Sequence, residues 1–357
     1  MTDDEHMAHA LRLGARGRGN VWPNPAVGCV IVTEGRIVGR GWTQPGGRPH
    51  AELRALAEAG VQAAGATVYV TLEPCAHHGQ TPPCVQALID ARVARVVSAL
   101  TDPDPRVSGK GHRMLRDAGI AVTEGVLARQ AERSHAGFVK RITRGLPFVT
   151  LKLAASLDGR IAMASGESRW ITGPDARRAV HALRLAHDAV MIGAGTARAD
   201  NPDLTVRDIG AGHQPVRIVL DPHLSHRPDS RLGATARAHP VWMLHTDAAP
   251  PEARVLWQAT GARLIRLPDT EAMTALCALA AEGMTRVLCE GGAALGASLI
   301  RTGLVDEIAL FHGAAVIGSE GQPMLGPLAL PSLAGAPRPR LISTETIGSD
   351  VLTRWSL

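Results

Sequence analysis

Four residues early in the chain have types and spacing suited to metal chemistry: His50, Glu52, Cys75 and Cys84. Zinc takes nitrogen and thiolate ligands in a tetrahedron, and a catalytic zinc keeps one position for water. One histidine and two cysteines supply three ligands, and the two thiolates offset the metal's charge. Zinc held this way lowers the pKa of a bound water. Glu52, two residues beyond His50, is spaced to take a proton from that water and deliver it to a ring nitrogen and a departing amine. The chemistry that needs such a set is hydrolytic deamination, in which water attacks an amidine-like carbon and ammonia leaves. Singly, each residue also reads as an ordinary cap or core residue, because free cysteine is commonly buried. The set, in this order, carries the reading.

These residues sit at the ends of elements. Pro49-His50-Ala51-Glu52 opens a helix that runs to Gly60, a C-cap. A strand over Thr67–Leu72 leads into Glu73-Pro74-Cys75, and Cys84 opens a helix over 84–91. A helix N-terminus stabilises a thiolate beside it. Around them the pattern predicts a helix over 5–18, a hairpin of 27–32 with 37–42, a strand over 93–100, a helix over 110–118 and a strand over 120–123. Alternating strands and helices make an α/β layer structure. Arg144-Gly145-Leu146-Pro147 is a breaker-rich seam. Beyond it come strands at 148–154, 189–192, 216–220, 241–244, 286–289 and 305–311, with helices at 174–188 and 271–282. Two domains are expected, 1–144 and 147–357. Segments 222–235 and 318–340 are rich in proline and glycine and read as loops.

The 357 residues suit about two domains. Hydrophobic residues are 45% and charged residues 20%, which excludes wholesale disorder. No apolar run approaches the roughly 18 residues of a membrane span, and the acidic start Met1-Thr2-Asp3-Asp4-Glu5 lacks the basic opening of a secretory signal. A cytoplasmic protein with no membrane partner is expected. Net charge is +5, from 38 basic and 33 acidic residues, without a basic block. That spread excess hints at anionic substrates and not at nucleic acid. Aromatic residues are 3%, too few for a stacking platform along a single strand. Five cysteines in a signal-free chain do not form a disulfide framework. Cys29, Cys277 and Cys289 lie in apolar contexts and read as core.

His50-Ala51-Glu52 followed by Pro74-Cys75 is the H-x-E…P-C signature of zinc nucleobase deaminases. The generic pattern closes with two residues between the cysteines; here eight intervene, among them His77 and His78, which either compete as ligands or line the site. The segments Asn24-Pro25-Ala26-Val27-Gly28, His50-Ala51-Glu52 and Thr71-Leu72-Glu73-Pro74-Cys75-Ala76-His77-His78-Gly79-Gln80-Thr81-Pro82-Pro83-Cys84 resemble the deaminase half of the bifunctional riboflavin-biosynthesis deaminase/reductases. In that family the long insert is the norm. The resemblance implies a cytidine-deaminase-like α/β/α domain and a diaminopyrimidinone substrate carrying a phosphoribosylamino group. It also implies a substrate hydrogen bond from Asn24, which otherwise reads as a turn residue before Pro25.

In the second half, strand 286–289 runs into Glu290-Gly291-Gly292, which opens a helix. Glycines at such a junction let backbone N–H groups approach a phosphate. By itself this also fits a plain strand–turn–helix. Four segments resemble the reductase half of the same family: 151–160 around Ser156-Leu157-Asp158-Gly159, 166–172 around Ser168-Arg169-Trp170, 195–207 from Gly195 to Arg207, and Glu290-Gly291-Gly292. The two resemblances span essentially the whole chain. The second implies a dihydrofolate-reductase-like α/β fold that uses NADPH to reduce the ribosyl group to ribityl. By it, Ala154, Trp170, Thr196, Asp200, Gly292, Ala293, Ala294, Leu295, Gly296, Ala297 and Ser298 contact NADPH. Ser168, Arg184, Leu204, Arg207 and Glu290 contact substrate. Arg184 and Arg207 have the planar fork that pairs with a phosphate. Lys152 is an electrostatic helper for hydride transfer, and Asp221 either faces the cofactor or caps a loop. No proton donor for the reduction is legible.

The expected enzyme is therefore bifunctional, takes zinc and NADPH, acts on phosphorylated pyrimidines and forms a homo-oligomer. The first alternative is a nucleic-acid-editing zinc deaminase with an accessory domain, as in tRNA adenosine deaminases. The long insert and low aromatic content count against it. The second is a non-catalytic zinc-binding regulator, for which Glu52 has no use.

Overall fold

The computed structural model describes residues 1–76, 82–105, 107–210 and 212–357. The chain divides into two compact units, Met1–Leu146 and Pro147–Leu357.

In chain order the first unit has α1 (Asp3–Gly14), β1 (Gly28–Thr33), β2 (Arg36–Trp42), α2 (Ala51–Ala59), β3 (Thr67–Val70), α3 (Cys84–Asp90), β4 (Arg95–Ser98), α4 (Lys110–Asp117), β5 (Ala121–Glu124) and α5 (Ala128–Arg144). The five strands make one sheet in the order β2-β1-β3-β4-β5. β1 runs antiparallel to both its neighbours, while β3, β4 and β5 are parallel. Strand side chains alternate between faces, and here both faces are buried. Cys29, Ile31, Val68, Val70 and Val96 join one cluster with Ala51, Ala55 and Leu88. Val30, Val32, Tyr69 and Val97 join the other with Met7, Ala10, Leu13 and Ala131. The result is an α/β/α sandwich. Helix α2 lies directly on β2, because a Cβ at Gly41 would stand 2.0 Å from the Ala51 carbonyl oxygen. Only glycine permits that approach, and it fixes the depth at which His50 and Glu52 emerge.

The second unit has β6 (Phe148–Ala155), β7 (Arg160–Ala162), α6 (Pro174–Leu185), β8 (Ala189–Gly193), α7 (Ala194–Asp200), β9 (Val216–Leu220), α8 (Arg231–Ala234), β10 (Val241–His245), α9 (Pro251–Ala259), β11 (Arg263–Arg266), α10 (Ala272–Ala281), β12 (Arg286–Cys289), α11 (Ala293–Arg301), β13 (Glu307–His312), β14 (Gln322–Pro323), β15 (Arg340–Ile347) and β16 (Asp350–Ser356). Nine strands form a sheet in the order β11-β10-β9-β8-β12-β6-β13-β16-β15. It is parallel from β11 to β13, and β16 and β15 close it as an antiparallel hairpin. Parallel strands buried on both faces read as apolar runs. Val190, Ile192, Val219, Met243 and Phe311 pack into one core with Trp257.

Two expectations need correction. Cys277 is exposed and not core. On α10 the buried stripe is Ala272, Ala275, Leu276, Leu279 and Ala280, at helical spacing, and Cys277 falls off it. The stretch after residue 123, read as the end of the first α/β pattern, instead holds the 17-residue helix α5.

Candidate functional site

In the first unit, His50 is the N-cap of α2 with extended backbone, and its side chain makes no capping bond. The imidazole therefore turns toward the loops instead of into its own helix. Glu52 lies in the first turn of α2, 4% exposed. Cys75 follows β3, and Cys84 is the first residue of α3. The Cys84 backbone N–H donates to the Cys75 sulfur at 3.3 Å. His50 Nδ1 stands 3.2 Å from Cys84 Sγ and 3.7 Å from Cys75 Sγ. All three donor atoms lie within 4.8 Å of one another. Zinc bonds of about 2.0–2.1 Å to nitrogen and 2.3 Å to thiolate, at tetrahedral angles, separate such atoms by roughly 3.5–3.8 Å. The donor set and its spacing fit zinc.

The electrostatics suit the same use. A hydrogen bond from the Cys84 thiol, with a further one from His50, draws Cys75 down to about 4. The Cys75 thiolate in turn raises His50 and, with burial, Cys84. Burial, and then the negative Cys75, push the Glu52 carboxyl up to about 7. A carboxyl in that range both takes and returns protons near neutral pH.

Asn24 is half-buried and packs over Gly47, where a Cβ would stand 1.8 Å from its Nδ2. His77 and His78 lie outside the described residues. Sequence reading passed over Asp102, a carboxyl 7% exposed and pushed up to about 6 by burial, which also feels the Cys75 charge. Its signal was the run Asp102-Pro103-Asp104 just after β4.

In the second unit the residues expected at the substrate converge only in part. Arg184 on α6 and Glu290 after β12 are joined, Nε to Oε1 at 2.6 Å and Nη2 to Oε2 at 2.9 Å, and Arg184 Nη1 donates to the Thr205 carbonyl at 2.9 Å. Burial would raise Glu290, but the guanidinium outweighs it and holds the carboxyl at about 2. The fork of Arg184 is thus committed to Glu290, whereas sequence reading gave it to the phosphate. Arg207 touches Asp203 at 3.3 Å and Thr205 Oγ1 at 3.1 Å, and half its side chain meets solvent. Leu204 is buried with φ +56. The loop from Asn201 to Arg207 rests on a residue that sequence reading missed: Arg217, fully buried on β9, donates to the Asp203 carbonyl at 3.1 Å and to Thr235 Oγ1 at 2.8 Å. Gln214 holds both the N–H and the carbonyl of Val206. Lys152 on β6 is lowered by enclosure and raised back in part by Glu290.

For a dinucleotide, the chain offers the junction of β12 and α11. The Gly292 N–H donates to Thr196 Oγ1 at 2.9 Å, and Gly292, the N-cap of α11, brings no side chain to the first-turn amides. Amides left open at a helix N-terminus fit an anionic phosphate. Ala293, Ala294, Leu295, Gly296, Ala297 and Ser298 form that turn and the next. Asp200 closes α7, whose first turn carries Thr196. Ala154 is half-buried on β6 against the core. Trp170 is 68% exposed, with the Arg177 guanidinium 4.3 Å above its ring. It borders a hollow of about 450 Å³ shared with Thr172, Arg177, Ala315 and Asp350; Ser168 lies two residues before Trp170. Asp221 caps its own loop, accepting from Ser225 Oγ at 3.0 Å and the His226 N–H at 2.8 Å.

Residues 147–353 match the RibD C-terminal domain family, and residues 1–100 match the cytidine and deoxycytidylate deaminase zinc-binding region. The riboflavin biosynthesis protein RibD of Escherichia coli K12 is 41% identical, with 98% of each chain covered. That of Haemophilus influenzae is 42% identical over 97% of this chain and 95% of its own. Among solved structures, Acinetobacter baumannii RibD superposes with TM-score 0.89 at 37% identity, covering 99% of this chain and 98% of that one. The diaminohydroxyphosphoribosylaminopyrimidine deaminase/5-amino-6-(5-phosphoribosylamino)uracil reductase of Thermotoga maritima does so at 0.87 and 33%, with 99% and 98% covered. The two α/β units accordingly have the cytidine-deaminase and dihydrofolate-reductase-like folds.

Proposed function

The chain belongs to the RibD family, and we propose from that membership which of its residues carry each step. It is a bifunctional enzyme of riboflavin biosynthesis, a zinc-dependent deaminase joined to an NADPH-dependent reductase. The deaminase acts on 2,5-diamino-6-(5-phosphoribosylamino)pyrimidin-4-one. The reductase turns the ribosyl group of the product into ribityl. A nucleic-acid editor is disfavoured, because the relatives match through both halves.

In the first half, residues 1–144 on this reading, His50, Cys75 and Cys84 hold zinc. When bound, the metal makes a water nucleophilic at neutral pH. Glu52 takes one proton from the water and gives it to the pyrimidine nitrogen, then takes the second from the new hydroxyl and gives it to the amine, which leaves as ammonia as the carbonyl forms. Asn24 anchors the ring. Burial of Glu52 keeps bulk water from short-circuiting the transfer.

In residues 147–357, NADPH supplies the hydride. Ala154, Trp170, Thr196, Asp200 and the turn from Gly292 to Ser298 line the cofactor. Ser168, Arg184, Leu204, Arg207 and Glu290 line the substrate. Arg207 takes the phosphate, and the Arg184–Glu290 pair frames the sugar end. With this reading go small phosphorylated pyrimidines as ligands, no nucleic-acid or membrane partner, a cytoplasmic location and a homo-oligomer. Among the described residues no helix is long and apolar enough to cross a membrane.

The observation that supports the reading most is the gathering of one imidazole and two thiols beside a buried carboxylate. The test is turnover of the diaminopyrimidinone phosphate with and without NADPH, with products identified. Ammonia release without NADPH, and ribityl product only with it, is expected. RNA deamination in preference to the small phosphate would overturn the reading.

A further inference from the structure

Glu73 ends the stretch after β3, two residues before Cys75. Its side chain is entirely shut from solvent. No lysine or arginine pairs with it among the described residues; its oxygens are taken up by backbone N–H groups. Oε2 accepts from Asp102 at 3.1 Å and Gly109 at 2.9 Å, and Oε1 accepts from Gly111 at 2.8 Å and His112 at 3.3 Å. His112 Nδ1 stands 4.0 Å away. Three of these four amides belong to the start of α4. That helix has no cap of its own, because its N-cap is Gly109, at φ +72, with no side chain to offer. A helix leaves its first amides without partners, and a carboxylate there is favoured both by hydrogen bonding and by the helix dipole. Glu73 is thus an N-cap supplied from the distant segment that follows β3.

The clamp has a second jaw. The Pro74 carbonyl lies so close to Gly111 that a Cβ there would stand 2.2 Å from its oxygen. Residues 73 and 74 are therefore held against α4 by both side chain and backbone. The next residue is Cys75, whose carbonyl also accepts from the Val85 N–H at 3.3 Å at the start of α3. The turn that carries Cys75 is pinned from α4 on one side and from α3, the helix of Cys84, on the other.

We propose that Glu73 is a positioning residue for the zinc site: by capping α4 it sets where Cys75 stands relative to His50 and Cys84. This rests on those three residues being the zinc ligands. An isolated cap would be worth only helix stability. Here its position in the chain makes the same four bonds a constraint on a metal ligand, and partners that orient ligands typically change metal affinity by about 10- to 100-fold.

The test uses the full chain, stripped of metal and titrated with zinc against a chromogenic chelator. Glu73→Gln keeps the shape but turns an NH2 group toward two N–H donors. It should weaken zinc binding by about 10- to 100-fold, and lower deamination at limiting zinc, while reduction of the deaminated intermediate stays within about twofold. Glu73→Gln with wild-type zinc affinity, even at a lower melting temperature, would show a cap and nothing more and would overturn the proposal. If Glu73→Gln does not fold, Gly111→Ala keeps the Glu73 carboxylate but pushes on both jaws of the clamp, its Cβ falling 2.2 Å from the Pro74 carbonyl oxygen and 3.1 Å from Glu73 Oε1. It should weaken zinc in the same assay, and unchanged affinity there rejects the proposal equally. Cys75→Ser separates the two readings. If that variant keeps zinc, the ligand assignment is wrong. If it loses zinc while Glu73→Gln does not, only the positioning role falls.

Discussion

Arg184 and Glu290, 106 residues apart in sequence, face each other as a two-point ion pair with 12% and 8% of their side chains exposed. The pair changes what each arginine of the second unit can do. Arg184 has spent its fork on the carboxylate and its remaining nitrogen on the Thr205 carbonyl. Arg207, on the same loop as Thr205, keeps donors free and faces solvent. On the proposed assignment of roles, this leaves Arg207 as the arginine for the substrate phosphate and Arg184 as part of the wall beside it.

Arg207→Ala should raise the reductase KM by about tenfold, the size of one charge-assisted hydrogen bond. Deamination should stay near wild type, and NADPH affinity should change little. Arg207→Lys should recover only part, since an ammonium lacks the planar fork. Steady-state kinetics with phosphorylated and dephosphorylated intermediate decide it. Equal impairment on both would remove phosphate recognition from Arg207.

Arg184→Met should behave differently, because it strands a carboxylate in a buried setting. Breaking such a pair from one side costs about 3–5 kcal/mol, much of it the unpaired charge. Removing both charges, as Arg184→Met with Glu290→Gln, should return most of that stability while leaving the reductase inactive. Denaturant midpoints of the four proteins of this cycle measure it. A double variant no more stable than Arg184→Met would contradict the pairing argument.

The same pair sets an acid limb. Glu290 is held at about 2 when folded, below its ordinary 4.5. A depressed carboxyl contributes stability that is complete above the unfolded pKa and is lost as pH falls toward the folded one. The loss from Glu290 should therefore run from about pH 4.5 down to about 2. In Arg184→Met the largest opposing charge is gone and only Lys152 and His181 still hold the carboxyl down against burial, so the folded pKa rises and the loss of stability on acidification should shrink. Glu290→Gln is the flat reference. Urea midpoints between pH 6 and 3 for the three proteins give the comparison. Parallel curves for wild type and Glu290→Gln would mean that the carboxylate is not depressed.

How legible these features were depended on whether short spacing or long-range contact produced them. His50, Glu52, Cys75 and Cys84 were readable because each sits at the end of an element with strong boundary signals, and two of them are only two residues apart. Helix α5 was not, because its buried residues are Ala131, Ser134, His135 and Gly137, and Phe138 alone adds a large apolar side chain to that face, too little to mark a period. Strand β15 was missed for the opposite reason: seven of its eight residues are exposed, so no alternation shows. The Arg184–Glu290 pair and the Arg217 support of the Asp203 loop join elements that only the sheet order brings together. Asp221 could be left only as cofactor-facing or loop-capping until the bonds from Ser225 and His226 were seen.

The last expectation separates a ligand from a proton carrier within one site. Cys84 is fully buried at the start of α3, and its sulfur lies 3.2 Å from His50 Nδ1. Cys84→Ser replaces a thiolate by a hydroxyl that stays protonated at neutral pH and is a poor zinc ligand. Zinc content and deamination should fall together. Glu52→Gln leaves all three ligands in place and removes only the buried carboxyl that takes and returns the proton. That variant should retain zinc at one per chain and lose deamination by about 10²- to 10⁴-fold, the range of general acid–base catalysis. It should still reduce the deaminated intermediate when that is supplied with NADPH, since the reductase residues belong to Pro147–Leu357. Metal analysis by emission spectroscopy, ammonia release and NADPH consumption are three readouts of the same two proteins. Zinc unaffected by Cys84→Ser would dismiss the ligand set. A folded Glu52→Gln protein that holds zinc yet cannot reduce the intermediate would show that the two activities are coupled and not merely joined.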